Sequence, residues 1–317
     1  MEVDEKIKDY YTKKNAIVLH KSLIVELSHP LINGVPLISS SNDSENNGVK
    51  TLDQKIDLTM WTLNSAKTLW ATLMSIEKAI PKRSVGQKIM VDGHSTDETQ
   101  NIGKKFGWKI IDAKKVGIPH QANQALEMVK TEIFASFEHD IILNHNWFQK
   151  ILKHLLSDPE VAVAQGVRLT TNPVFKKIEE FCLERNIPYS SIDNNLYRTE
   201  LIRSIGGFDP RFPLSCDRNL QDRVRKAGYK WIVDKTVFSD HIRGTVRQSS
   251  GHVYTLSKFA DSQDSASLSS VLSRFLFSPI RGVEISIKKE CPQAVIVYPY
   301  WRFMLLKSSL KMIAKQK

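Results

Sequence analysis

The sequence predicts an α/β domain, with a mainly parallel mixed sheet flanked by helices and a basic amphipathic helical tail after it. Three observations carry that expectation. Between positions 56 and 233, short apolar runs alternate with helical periods of about ten to fifteen residues, as strands joined by crossover helices do. Polar clusters follow several of these runs, where the carboxyl ends of parallel strands collect ligands. Beyond position 250, basic residues interleave with apolar ones.

In chain order, residues 1–54 read as a peripheral extension. Ile17 to Leu27 suits one strand or a short helix, and Ser39 to Gly48 (SSSNDSENNG) is a polar linker by composition. Ile56 to Trp61 reads as the first strand. Asn64 or Ser65 can cap a helix whose Leu69, Leu73, Ile76 and Ile80 keep a helical period, and Pro81 ends it. Lys88 to Val91 is a second strand, and Ser95 or Thr96 can cap a helix running to about Phe106. Trp108 to Ile111 is a third strand. Pro119 suits the first turn of a helix ending near Lys130, and Ile133 to Phe137 is a fourth strand. Asn144 or Asn146 caps a helix through Leu156, with a strand at Val161 to Val167 after it. Thr199 to Ile205 and Asn219 to Ala227 are helices separated by the turn Gly206-Gly207-Phe208-Asp209-Pro210. Tyr229 to Val233 returns to strand.

The 317 residues allow one large domain or two smaller ones, and 41% hydrophobic with 25% charged residues is ordinary for a soluble protein. Cys182, Cys216 and Cys291 are odd in number, scattered and without metal-ligand spacing. That argues against a disulfide framework and a zinc site, and suits a reducing compartment. The polar N-terminus lacks the apolar core of a signal peptide, and no apolar run approaches the roughly 18 residues of a membrane span. The expectation is a cytoplasmic protein, at most resting on the cytoplasmic face of a membrane. A formal charge of +11, from 45 basic and 34 acidic residues, suits a polyanion, a phosphorylated substrate or an anionic membrane surface. Heptads, zinc knuckles and internal repeats are absent, which argues against nucleic acid.

Four polar clusters fall at chain ends of the expected sheet. Asp92 to Asp97 is either a nucleoside pocket, whose carboxylates accept from a base N–H or a ribose hydroxyl, or a capped turn between strand and helix. Glu138-His139-Asp140 sets two carboxylates one residue apart at the end of an apolar run. It is either a solvated loop or the holder of a divalent cation that itself holds a diphosphate. Asp217 opens a helix as its cap or serves as a general base. His241 is structural or completes an oxygen-rich metal shell. A Cys216–His241 nucleophile pair has no oxyanion site to support it. Lys114, Lys115, Arg198 and Arg223 either neutralise phosphate or are surface charges. Neither G-x-G-x-x-G nor a Walker-type loop occurs, which argues against dinucleotide binding and nucleotidyl transfer.

Taken together and in order, these pieces resemble a family 2 glycosyltransferase with the GT-A fold, over about three-fifths of the chain. The resemblance runs through Thr62 to Leu69 (TLNSAKTL), Val91 to Thr99 (VDGHSTDET), Ala122 to Leu126 (ANQAL), Phe137-Glu138-His139-Asp140, Gly206-Gly207-Phe208-Asp209 and Asp217 to Gly228 (DRNLQDRVRKAG). It implies a nucleotide-binding half at 55–145 and an acceptor half at 146–250. The donor would be a nucleotide-diphospho-sugar and the acceptor a glycan, a hydroxyl or a lipid-linked phosphate. Asp92 would contact the nucleobase. Glu138 and Asp140 would occupy the DxD positions, with Asp140 on Mg²⁺ or Mn²⁺ and Glu138 facing ribose or metal-bound water. Asp217 would be the acceptor-activating base in an inverting transfer, and His241 a further metal ligand. Asp97, Lys115, Asn195 and Arg223 complete the candidate substrate contacts. The chain departs from the family pattern in three places. Glu138 replaces the usual first Asp, Cys216-Asp217 the usual Glu-Asp, and Asn219 a frequent second acid. The alternative these departures motivate is a nucleotide-sugar or glycan-binding module without catalysis.

From Val271 onward nine basic residues face only Glu284 and Glu290. If residues 300–315 are helical, Lys307, Lys311 and Lys315 form one stripe, beside an apolar arc begun by Trp301, Leu305 and Met312. That helix either lies in a membrane interface or packs on the catalytic domain with a solvated Lys stripe.

Overall fold

Seven consecutive buried residues make β1 (Ile56–Thr62) a strand covered on both faces. Ile56, Leu58 and Met60 point into one apolar cluster, and Trp61 into another. It belongs to a computed structural model that describes residues 54–185, 189–213, 215–242 and 268–316. The readings for Ile17 to Leu27, the linker at 39–48 and the segment 243–267 lie outside the described residues.

After β1 the chain runs α1 (Ala66–Ala79), a single 3₁₀ turn, β2 (Val85–Asp92), α2 (Thr99–Lys105), β3 (Lys109–Asp112), α3 (Ile118–Met128) and β4 (Ile133–Phe137). There follow β5 (Ile141–Ile142), α4 (Trp147–Ser157), β6 (Val161–Thr170), α5 (Pro173–Glu184), β7 (Asn194–Arg198), α6 (Thr199–Ser204), α7 (Cys216–Lys226) and β8 (Lys230–His241). The sheet order is β3-β2-β1-β4-β7-β6-β8-β5. β3 through β4 are parallel, β7 is antiparallel to both its neighbours, and β6 and β8 are parallel. One face packs on α1 and α4 through residues such as Leu69, Leu73, Trp147 and Ile151. The other packs on α3, α6 and α7 through Ala125, Ile202, Leu220 and Val224.

Several expectations need correction. Ser95 and Thr96 do not cap α2: the Ser95 hydroxyl donates to Asp92 and the Thr96 amide to Asn64. Helix α5 and strand β7 were not foreseen, although Asn172-Pro173 is a start signal. The Asn172 side chain accepts from the Val174 and Phe175 amides, and proline takes the first helical position. α7 begins at Cys216, three residues earlier than its apolar period suggests. β8 continues well past Val233, so His241 ends a strand and does not sit in a loop.

One feature of this sheet builds the site. Phe137 and Ile141 are four residues apart, a reach of at most about 14 Å. Yet β4 and β5 stand four positions apart in the strand order, about 19 Å in a flat sheet. The sheet must therefore curl. The curl comes from irregular pairing of β6 with β8, where the register shifts between Gln165 and Val167. Gly166 sits in that shift, and a Cβ there would lie 2.8 Å from the Val237 carbonyl. Beyond the bend, residues 167–170 and 238–241 continue as a pair without β7, and β5 joins them with Ile141 opposite His241.

The C-terminal residues form α8 (Leu268–Leu276), α9 (Ser278–Lys288) and α10 (Ala294–Gln316). Ile285, Cys291, Ala294 and Tyr298 pack against Ile178 and Phe181 of α5 in a third apolar cluster. Trp301 meets Phe175 edge-on at 6.0 Å. Trp301 of the expected apolar arc therefore turns inward, the side chains of Met312 and Lys315 lie outside the described residues, and the outward face of α10 carries Ile296, Tyr300, Phe303, Lys307 and Leu310. No helix among the described residues is long and apolar enough to cross a membrane.

Candidate active site

The curl brings the end of β4 to the end of β8. One ligand atom each from Glu138, Asp140 and His241 lies within 4.8 Å of the others. His241 Nε2 is 3.3 Å from Asp140 Oδ2, and the Asp140 carbonyl accepts from the Ile242 amide at 2.8 Å. Asp140 and His241 are buried, and Glu138 is nearly so. A stripe of hydroxyls on α1 clamps the connecting loop from its other side. Thr68 meets His139 Nδ1 at 2.9 Å, Thr72 donates to the His139 carbonyl at 2.7 Å, and Ser75 accepts from the Leu143 amide at 3.1 Å. These residues recur at i, i+4 and i+7, so they share one helix face.

The donor set fits a hard divalent cation. Two carboxylates and an imidazole supply oxygen and nitrogen ligands, and among the described residues the buried His241 Nε2 makes no hydrogen bond, its near neighbour being the Asp140 carboxylate at 3.3 Å. A buried nitrogen with no hydrogen bond is costly, and a metal ion between it and the carboxylates would satisfy it.

Two residues that sequence reasoning missed balance the charge. Arg168, on β6 just past the bend, pairs with Asp193 through Nη1, and the same nitrogen lies 3.6 Å from Glu138. Burial opposes the Arg168 charge, but Asp193, Glu138 and Asp140 hold it firmly protonated. Burial pushes the Asp193 carboxyl up, with Arg168 pulling the other way. The signals were a cation at the carboxyl end of a strand and an acid beside β7. Both lie between Val167 and Thr199, where the sequence predicts no element.

Asp217 opens α7, and its carboxylate accepts from the Ser190 hydroxyl at 3.1 Å. Burial raises its pKa above the ordinary carboxylate range, against the opposing Arg168 charge and the hydrogen bonds from Arg218 and Ser190. Residues 189–191 join α7 to β6. Gln221 donates to the Tyr189 carbonyl at 2.9 Å, and the Tyr189 hydroxyl accepts from the Arg168 amide at 2.9 Å. Asp217 is thereby tied to the strand that carries Arg168. Cys216 is buried in the apolar cluster behind it, which leaves it no nucleophilic role.

The remaining candidates have other work here. Asp92 is fully buried, with Thr62 and Ser95 hydroxyls donating to Oδ1 at 2.7 and 2.6 Å. The Ser95 amide and the Gln100 side chain donate to Oδ2 at 2.8 and 2.9 Å. Four donors occupy the carboxylate, which organises the loop at 93–98. Burial works against its charge, but these bonds hold its pKa below the ordinary value. Asp97 accepts from the Thr99 and Ala66 amides and so ties together the starts of α1 and α2. Asn195 is fully buried, donating to the Ser191 carbonyl at 2.6 Å and the Tyr197 hydroxyl at 2.8 Å. Arg223 donates to the Ile205 and Gly207 carbonyls and to Asn219, which secures the Gly206-Gly207 turn. In this arrangement all four support the loops and turns around the site. Asp97 and Lys115 are both exposed, Lys115 on the segment after β3.

A curled, mostly parallel sheet with an acid–acid–histidine cluster at its carboxyl ends is the GT-A class of architecture. Residues 58–208 match the profile described as Glycosyl transferase family 2. The chain carries a glycosyl transferase family 2 domain and is a glycosyltransferase. Its fold is similar to that of the mannosyltransferase PcManGT from Pyrobaculum calidifontis, solved in complex with GDP-Man and Mn²⁺. That match has a TM-score of 0.54 at 16% identity and covers 84% of this chain and 76% of that one. A crystal structure described as a mycobacterial protein gives a TM-score of 0.50 at 16% identity, covering 64% of this chain and 73% of that one. At such identities the likeness is one of fold. No curated protein matches the sequence.

Proposed function

We propose that this protein is an inverting, metal-dependent transferase that moves a sugar from a nucleotide-diphospho-sugar to a hydroxyl or lipid-phosphate acceptor at the cytoplasmic face of a membrane. The observation that carries the reading is the meeting of Glu138, Asp140 and His241 within 4.8 Å, from segments about a hundred residues apart. The complex of a similar fold with GDP-Man and Mn²⁺ supports it. Asp140 and His241, with Glu138 beside them, would hold a divalent cation, which when bound would offset the negative charge of the departing diphosphate. Arg168 keeps Glu138 and Asp193 in place around that position. Asp217 takes the proton of the acceptor hydroxyl as the new bond to the sugar carbon forms and the bond to diphosphate oxygen breaks. One displacement inverts that carbon. The raised pKa of Asp217 makes it a stronger base than a solvated carboxylate, and positioned base catalysis contributes about 10²–10⁴-fold.

Asp140→Ala is expected to abolish metal-dependent donor binding, measured by calorimetry with Mn²⁺ and with EDTA. Undiminished binding in Mn²⁺ would remove Asp140 as the ligand. A panel of nucleotide sugars, assayed for released nucleoside diphosphate, separates a transferase from a binding module. Tight binding with no release from any donor would favour the module.

A further inference from the structure

Among the described residues, twelve of the sixteen exposed large hydrophobic side chains lie between Leu268 and Leu310. Their arrangement is ordered. α8 and α9 are nearly continuous, because the Phe277 amide donates to Ser273 and the Phe277 carbonyl accepts from Arg281. Along them Leu268, Leu272, Leu276, Ile280, Val283 and Ile287 are all exposed. At 100° per residue these six fall within an arc of about 120°, while Ser278, Gly282 and Ile285 turn toward the domain. Ile280 and Ile287 are 70% and 74% exposed, far more than a stripe serving only the fold would leave.

The outward face of α10 adjoins this stripe at two places. Phe275 meets Phe303 at 5.9 Å between ring centroids, and Gly282 packs against the backbone of Ala294 and Val295. That face begins apolar, with Ile296 76% exposed, and becomes basic at Lys307 and Lys311. Over residues 268–316 there are eight basic residues and two acidic ones.

We propose that the α8–α9 stripe and the outer face of α10 form a docking surface for an anionic phospholipid bilayer, lying in the interface without crossing it. Charge complementarity selects this occupant. An apolar stripe seats in the headgroup boundary, and the basic end of α10 meets the negative surface potential. A second copy of the chain would bring like-charged faces together. Because α9 and α10 pack on α5, which directly follows the site end of β6, the surface sits beside the acceptor half. The purpose of the surface rests on the membrane-proximal acceptor proposed above, whereas the binding rests on the surface alone.

Flotation of the intact protein with vesicles, in the absence of donor and metal, tests it. With phosphatidylcholine and phosphatidylglycerol mixed, wild type is expected to float, and the Ile280→Asp/Ile287→Asp variant to lose about tenfold in bound fraction. Both positions are exposed, so circular dichroism and nucleoside diphosphate release without vesicles should be unchanged. Lys307→Glu/Lys311→Glu is expected to weaken binding to mixed vesicles at low salt and lose that difference at high salt. Wild type remaining unfloated with anionic vesicles overturns the proposal, as does equal flotation of the Asp variant. A wild-type dimer that the Asp substitutions dissociate, with no flotation, assigns the surface to a second copy instead. Donor binding and release without lipid report on the catalytic reading separately.

Discussion

Asp92→Asn puts the role of a buried carboxylate to a direct test. The substitution keeps size and shape but turns one carboxylate oxygen into an NH₂ group. If the amide oxygen stays with Thr62 and the Ser95 hydroxyl, the new NH₂ faces the Ser95 amide and the Gln100 side chain, both donors. Two charge-assisted bonds are lost, each worth about 1.5–3 kcal/mol, and some relaxation of Gln100 recovers part of that. A net loss of about 3 kcal/mol is expected, or roughly 6–12 °C in Tm for a domain of this size. The pH dependence has a definite sign. The folded pKa of Asp92 lies below the unfolded value, so its stabilisation is present above about pH 3.9 and is lost as pH falls through the lower folded value. The Tm gap between wild type and variant should therefore be full near neutrality and shrink in strong acid. Thermal unfolding by circular dichroism, without ligand, reads this directly. A variant with wild-type Tm but donor affinity reduced tenfold would refute the assignment and make Asp92 a direct contact to the base.

Asp217→Asn should keep donor binding and lose about 10²–10⁴-fold in transfer. In wild type the rate should fall as pH drops through the raised pKa of Asp217, placing the acid limb above the ordinary carboxylate range, and a flat pH profile would count against a base at this position. Gly166→Ala forces a Cβ to within 2.8 Å of the Val237 carbonyl, so β6 and β8 must separate. We expect about 1–3 kcal/mol of destabilisation and a roughly tenfold weaker Mn²⁺ affinity, measured by electron paramagnetic resonance. Unchanged Mn²⁺ affinity would show that the bend does not aim His241.

Much of the parallel half was legible because its signals are local. Ile133 to Phe137 is apolar, short and followed by acids, and the structure places a strand there ending at Phe137. The antiparallel half was harder. β7 reads Asn194-Asn195-Leu196-Tyr197-Arg198, and polar residues hide a strand whose two asparagines are both fully buried, with Asn195 donating to the Ser191 carbonyl and the Tyr197 hydroxyl. Site chemistry was legible as residue types but not as partnerships. The sequence marks Asp92 as an acid after a strand, yet nothing local shows that Thr62 and Gln100 arrive to occupy it. Arg168 was missed for the same reason, since its partners Glu138 and Asp193 meet it only after the sheet bends.

The pairing of Ile141 with His241 also bears on how the protein matures. A nascent chain that has emerged only as far as α4 already contains Glu138 and Asp140, but it lacks the imidazole that completes their cluster. A contact spanning so much sequence closes a long loop, and such closures form late. Cation affinity would then appear only once the last strand has docked, so a partly synthesised or misfolded chain would not sequester metal or donor. Metal uptake during refolding would serve as a clock for the final step of assembly.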